Sequence, residues 1–185
     1  MKTTLQFIFS LILVVVLITA CDTASSIEDP NTNYFVKYIG GDGDQEGVDM
    51  IVNADGTTYL FGNTKSSSTN AKQQLYLVLV DEFGQVIWER TYGDPNLNYE
   101  ARDIEATNDG RLVFVGNQET GPGNKDIIIM TLDLNGVKLD STGFDLNAGG
   151  MDEVANTVSQ TLDGFIVSGY TKDVNSKPSG ATNSS

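Results

Sequence analysis

Ala54-Asp55-Gly56-Thr57-Thr58-Tyr59-Leu60-Phe61-Gly62-Asn63 is one of three versions of a single ten-residue phrase. The others are Asn108-Asp109-Gly110-Arg111-Leu112-Val113-Phe114-Val115-Gly116-Asn117 and Leu162-Asp163-Gly164-Phe165-Ile166-Val167-Ser168-Gly169-Tyr170-Thr171. Their Asp-Gly glycines stand at 56, 110 and 164, an interval of 54 residues both times. Each phrase joins a turn signal to a short apolar run. Glycine tolerates the positive φ that tight hairpins require, so Gly56, Gly110 and Gly164 are predicted to sit in such turns. Two more series recur in register: Asp81-Glu82-Phe83-Gly84 with Asp133-Leu134-Asn135-Gly136, and the acids Glu46, Glu100 and Glu153. Three series in step point to a structural repeat.

Working outward from these phrases, each unit divides into short strands bounded by Gly, Asn and Asp. In the first unit Val48–Asn53 alternates around Val48, Met50 and Val52, and Thr57–Phe61 returns after the Asp-Gly turn. A polar loop follows at Asn63–Gln74. Leu75–Val80 (LYLVLV) is apolar throughout, as expected of a strand covered on both faces. Glu82-Phe83-Gly84 turns the chain into Val86–Tyr92. The second unit predicts strands at Arg102–Thr107, Leu112–Val115, Ile127–Leu132 and Val137–Ser141, and the third at Val154–Gln160 and Phe165–Ser168. No window of helical period competes.

Four antiparallel strands in a repeating unit of this length are the signature of a β-propeller blade. The expected fold class is therefore all-β, with propeller-like blades of four antiparallel strands, about two and a half repeats and an incomplete propeller. The repeat units span about 42–93, 94–145 and 146–171, the last one partial. The run Trp88-Glu89-Arg90-Thr91-Tyr92-Gly93, then Asn108-Asp109-Gly110 to Gly116-Asn117, then Lys125-Asp126-Ile127 to Leu132-Asp133 and Gly136 resembles secreted bacterial β-propeller repeat proteins. The likeness covers residues 34–171, and its motifs are structural. It implies an envelope-anchored or secreted binding or scaffolding module.

Tyr34–Ile39 with Gly40-Gly41 (YFVKYIGG) matches the fourth strand, Val86–Gly93, and would bring the tally to 11 strands. Propellers close in this way, with an N-terminal strand completing the last blade. After Phe165–Ser168 an apolar third strand is due, but residues 172–185 are a polar, loop-like tail. A piece of a longer propeller, a complete protein whose open sheet edges are paired by other copies or a partner, and a small open assembly all accommodate this pattern. Unpaired edges favour self-association.

The N-terminus reads as an address. Lys2 precedes a 13-residue apolar stretch, Leu5–Leu17, too short to span a bilayer and suited to the core of a signal peptide. Leu17-Ile18-Thr19-Ala20-Cys21 then resembles a bacterial lipobox, with a small residue before the only cysteine. The resemblance implies that residues 1–20 are a lipoprotein signal peptide and that Cys21 becomes a lipidated N-terminus. The protein would then be exported and anchored to the bacterial cell envelope, at the outer membrane. A lone cysteine in an exported chain has no internal disulfide partner, in keeping with that role. Residues 21–33 are polar and read as a flexible tether.

Composition narrows the function classes. The 185 residues carry 11 Lys and Arg against 25 Asp and Glu, a net charge of −14, which argues against a nucleic-acid partner. Removing residues 1–20 takes away one charge, Lys2, so the remainder stands at −15, and anionic headgroups would repel it. The membrane is then reached through the lipid alone. With no histidine and with Cys21 lipidated, nucleophilic dyads and triads built on His or Cys are excluded. Paired carboxylates can run glycoside hydrolysis, but every acid here sits in a repetitive turn context. The chain is read as a non-enzyme with a protein or glycan ligand. The alternative is the N-terminal fragment of a propeller-type secreted hydrolase or lyase acting on glycans.

The loops entering each unit are rich in oxygen ligands, so Asp42, Asp44 and Glu46 are weak candidates for Ca²⁺ against a background of ordinary turn residues. No cofactor is otherwise expected. Glu46, Glu100 and Glu153 are expected to bond backbone amides between blades. Trp88, Tyr92, Tyr59, Phe61 and Phe114 suggest either a sugar-stacking platform or packing between blades, and their repeat-equivalent strand positions favour packing.

Overall fold

A computed structural model describes residues 36–121, 124–146 and 151–173. Cys21, the signal stretch, the tether and residues 174–185 lie outside the described residues. Contacts divide the chain after Lys37, and all the strands belong to the unit from Tyr38 onward.

The described residues form ten strands and no helix. β1 (Asp44–Val52), β2 (Thr58–Lys65), β3 (Gln74–Val80) and β4 (Val86–Tyr92) make one four-stranded sheet in chain order. β5 (Tyr99–Ala106), β6 (Arg111–Gly121), β7 (Asn124–Asp133) and β8 (Lys138–Phe144) make a second. β9 (Met151–Gln160) and β10 (Phe165–Asp173) form a two-stranded third. Every ladder is antiparallel. The first strands adjoin, β5 lying beside both β1 and β9, so the sheets are propeller-like blades, two whole and one half.

The repeated turns explain the meander. Gly56, Gly84, Gly110 and Gly136 take φ of 87°, 69°, 78° and 73°. In each turn the glycine N–H donates to the carbonyl three residues back: Asn53, Asp81, Thr107 and Asp133. The N–H of that earlier residue in turn donates to the carbonyl one past the glycine. This is a type I turn followed by a left-handed residue, whose twist suits a hairpin. In the outer turns the Asp81 and Asp133 carboxylates lock the loop, accepting N–H bonds from Phe83 and Gln85, and from Asn135 and Val137, at 2.7–2.9 Å. Gly164 departs from the expectation. Its φ is not positive, and the β9–β10 turn closes instead through the Thr161 N–H on the Gly164 carbonyl at 2.8 Å.

Strand positions agree with the sequence reading, and β4 has the expected ends. Several strands run longer. β2 continues through Asn63, Thr64 and Lys65, paired with Glu46, Gln45 and Asp44. β6 and β7 fill most of the stretch between the expected strands Leu112–Val115 and Ile127–Leu132, and β10 runs to Asp173. Apolar alternation ends earlier because these extensions carry polar side chains, whereas the backbone ladder needs none. The expected strand at Tyr34–Ile39 is a correction. Tyr34 and Phe35 lie outside the described residues, 36–39 are not strand, and Tyr38 is 99% exposed. In this repeat a fourth strand pairs with a third, and among the described residues the third sheet has none to offer. The described tally is ten strands, not 11.

The two apolar faces of β6 show why the third strands and their neighbours are apolar throughout. Leu112 and Phe114 pack with Tyr59, Phe61, Leu75, Leu77 and Tyr92 of the first sheet, while Val113 and Val115 pack with Ala155 and Val158 of the third. Successive residues point to opposite faces, so a sheet between two others buries both. Each fully buried side chain of this size contributes about 1.5–3 kcal/mol.

Candidate functional site

Acids on the first strands and amides on the second strands help hold one sheet to the next. The Asp49 carboxylate accepts the N–H of Ile104 at 3.2 Å. Asp103, 54 residues on, accepts the N–H of Val158 at 2.8 Å and the hydroxyl of Thr157 at 2.5 Å. Glu105 accepts the N–H of Gln160 at 2.8 Å. Buried Asn63 and Asn117 add two links. The Ala101 N–H donates to Asn63 Oδ1 at 2.8 Å, and Asn117 Nδ2 donates to the Glu153 carbonyl at 2.6 Å. Buried amide groups need partners, and charged acceptors make the stronger bonds.

The expected kind of interaction is therefore present on other residues. Among the described residues, the carboxylates of Glu46, Glu100 and Glu153 form no hydrogen bond to a backbone amide across the sheets. Glu46 accepts from Asn63 Nδ2 at 3.1 Å. Glu100 pairs with Arg102 at 2.7 Å and Lys125 at 2.9 Å. Asp49 and Asp103 carry a readable signal, the same 54-residue interval as the turn glycines.

Glu153 also leaves its series. Each first strand carries one extra residue in its ladder, at Val48, Arg102 and Asn156. Glu46 pairs with Asn63 and Glu100 with Asn117, each next to a glycine, Gly62 or Gly116. In the third sheet the residue in that place, beside the Ala155–Gly169 pair, is Val154, facing Tyr170, and Glu153 faces Thr171. Glu153 therefore stands one residue earlier, at the position of Tyr99. A one-residue offset in a strand turns a side chain to the opposite face.

There Glu153 is 0% exposed, and among the described residues neither of its carboxylate oxygens accepts a hydrogen bond. Carboxylate oxygens of Asp126, at the start of β7, and of Asp145, just after β8, approach it, all three lying within 4.8 Å of one another. Burial, and then the negative charges of Asp145 and Asp126, push the Glu153 carboxyl above the usual carboxylate range. Burial raises Asp126 as well, with the Asp145 charge adding to it against an opposing bond from Thr120.

The calcium candidates of the first loop lie elsewhere. Asp42, Asp44 and Glu46 are exposed around the start of β1, and they are not the carboxylates that converge. The aromatic set is packing. Phe61 stacks on Phe114 with centroids 4.8 Å apart, Tyr92 tilts against Phe114 at 5.6 Å and Tyr59 against Trp88 at 5.9 Å. Phe61 and Phe114 are buried, so no sugar reaches them.

On the face of the first sheet turned away from the second, a hollow of about 370 Å³ is lined by Gln45, Val48, Met50, Leu60, Tyr76 and Val78, among others. The Tyr76 hydroxyl donates to Glu89 close by. Met50 and Val52 remain 60% and 69% exposed on this strand, an apolar surface that water covers poorly.

No family model matches the chain, and no curated protein matches it. What the fold defines is a class: an all-β chain of propeller-like, four-stranded repeats.

Proposed function

We propose that this chain is an exported lipoprotein of the bacterial cell envelope, held at the outer membrane by lipid on Cys21, whose propeller-like sheets serve as a non-catalytic binding or scaffold module. The apolar hollow around Met50, Leu60, Tyr76 and Val78 carries the binding reading, because it is concave, exposed and not used by the packing between the described sheets. Its ligand is a protein or a glycan, and the charge of −14 disfavours nucleic acid. The periodic acids Asp49, Asp103 and Glu105 are hydrogen-bonded to backbone amides of the next sheet, which supports a structural use for them. The anchor rests on Leu17-Ile18-Thr19-Ala20-Cys21 after its apolar run. Self-association through sheet edges belongs to the same proposal, since β10 pairs only with β9 among the described residues.

The test has two arms. Cells making the wild type or Cys21→Ser are labelled with a fatty acid and fractionated. The wild type should carry label in the membrane fraction, and the variant should carry none; equal labelling overturns the anchor. The purified wild type and Met50→Asp are then compared on glycan arrays and candidate envelope proteins. Binding that survives Met50→Asp undiminished removes the hollow as the seat.

A further inference from the structure

The junction between the second and third sheets differs in charge from the junction before it. The ladders place Gln74 and Asp126 in corresponding positions, as they do Gly93 and Asp145, and Tyr99 and Glu153. At the earlier junction this trio is uncharged. The Tyr99 ring lies so close to Gly93 that a methyl group there would come within 2.6 Å of it, and the Tyr99 hydroxyl accepts the Asp94 N–H at 3.1 Å. At the later junction the same three places hold three carboxylates. One of them is wholly buried, and among the described residues neither of its oxygens accepts a hydrogen bond from another residue. Lys125, the nearest cation in sequence, is turned to Glu100 at 2.9 Å.

A buried, unpaired carboxylate is strongly unfavourable, and two neighbouring acids make it more so. A cation removes both penalties at once. Three carboxylates form a hard, all-oxygen donor set with no soft ligand, which suits Ca²⁺ rather than zinc or copper. Ca²⁺ sits about 2.3–2.6 Å from its oxygens, so one ion bridges oxygens up to about 5 Å apart. The observed span of 4.8 Å falls within that reach. Asn124, two residues before Asp126, holds a second buried oxygen, Oδ1, with no donor among the described residues. Ca²⁺ accepts six to eight oxygens in flexible geometry, whereas Mg²⁺ demands a tight octahedron, so an open set favours the larger ion.

We propose that Asp126, Asp145 and Glu153 form a calcium site that ties the third sheet to the second. The site is separate from Asp42, Asp44 and Glu46 and from the hollow on the first sheet.

Calcium titration of the purified full chain, by calorimetry and by melting in EDTA and in Ca²⁺, tests this. The wild type should bind one ion with a Kd of about 10⁻⁴–10⁻³ M, and its melting midpoint should rise with calcium. Glu153→Gln should lower the affinity at least tenfold and abolish the shift, and Asp126→Asn should do the same. Glu46→Gln should bind as the wild type does. Asp126 is only partly buried, so its variant decides the matter if Glu153→Gln does not fold. No heat and no shift up to about 10 mM Ca²⁺ overturns the site. So does wild-type binding by a folded Asp126→Asn, or loss of binding in Glu46→Gln.

Discussion

Replacing Gly136 by alanine should unfold this protein far more readily than replacing Gly110, although both glycines occupy the same place in the same kind of turn. Their φ values are 73° and 78°, so an alanine at either pays the left-handed penalty of about 1–2 kcal/mol. Their surroundings differ. Around Gly110 an added Cβ meets nothing within 4 Å. At Gly136 it would lie 2.9 Å from Arg90 Cδ, Trp88 Cη2 and Tyr92 Oη, because the β7–β8 turn is pressed against the first sheet. The two aromatic atoms belong to rigid rings that cannot swing aside alone. The Tyr92 hydroxyl also donates to the Gly136 carbonyl at 2.7 Å, and Arg90 Nε donates to the Asn135 carbonyl at 2.9 Å. Displacing the Tyr92 bond leaves a buried hydroxyl unmatched, at about 1–3 kcal/mol. Gly136→Ala should therefore cost about 2–5 kcal/mol in total, against about 1–2 kcal/mol for Gly110→Ala. With a urea slope of about 2 kcal/mol per molar, the midpoint should fall by about 1–2.5 M for the first and by about 0.5–1 M for the second. Urea unfolding followed by tryptophan fluorescence suits the purpose, since Trp88 is at the affected contact. Equal midpoint shifts would refute the claim that the turn is packed against Trp88 and Tyr92.

Two further outcomes are expected. Asp103→Ala removes the acceptor of the Val158 N–H and the Thr157 hydroxyl and should cost about 1–3 kcal/mol. Hydrogen exchange should show the loss concentrated in β9 and β10, and an equal loss in the first sheet would contradict the link. The Arg111 guanidinium, with help from the Thr107 hydroxyl, holds the Asp109 carboxyl below its ordinary value of about 3.8. A depressed folded value means stability that is present above the ordinary value and lost as the pH falls through the folded one. Melting midpoints of the wild type and Asp109→Asn should therefore differ at neutral pH and converge in acid; a gap that widens in acid would refute the assignment.

The local chemistry of single turns and strands could be read from the sequence. Asp-Gly recurring every 54 residues and Asp-x-x-Gly recurring after 52 specify hairpins whatever they pack against, and the apolar runs at Leu75–Val80 and Ile127–Leu132, the second broken only by Thr131, require cover on both faces. From these the three sheets and their order follow. Where local chemistry was silent, the reading failed. The Tyr34–Ile39 motif resembles a fourth strand, but a strand exists only with a ladder partner, and its described part has none. Gly164 carries the same Asp-Gly signal as Gly56 and Gly110 yet closes a different turn, because the dipeptide permits a positive φ without enforcing it.

The site depended most on tertiary structure. Counting along the chain puts Glu153 in series with Glu46 and Glu100, since an interval of 53 residues looks much like one of 54. In a strand that single residue decides the face. The ladder puts Val154 in the glutamate position and turns Glu153 into the place of Tyr99, buried beside Asp126 and Asp145. Those two acids come from the start of one strand and the end of the next, brought together by the β7–β8 pairing and met by Glu153 only when the third sheet packs on the second. Periodicity records which residues alternate along a strand. Which carboxylates converge is set by register and by sheet-on-sheet contact, and neither is a local property of the chain.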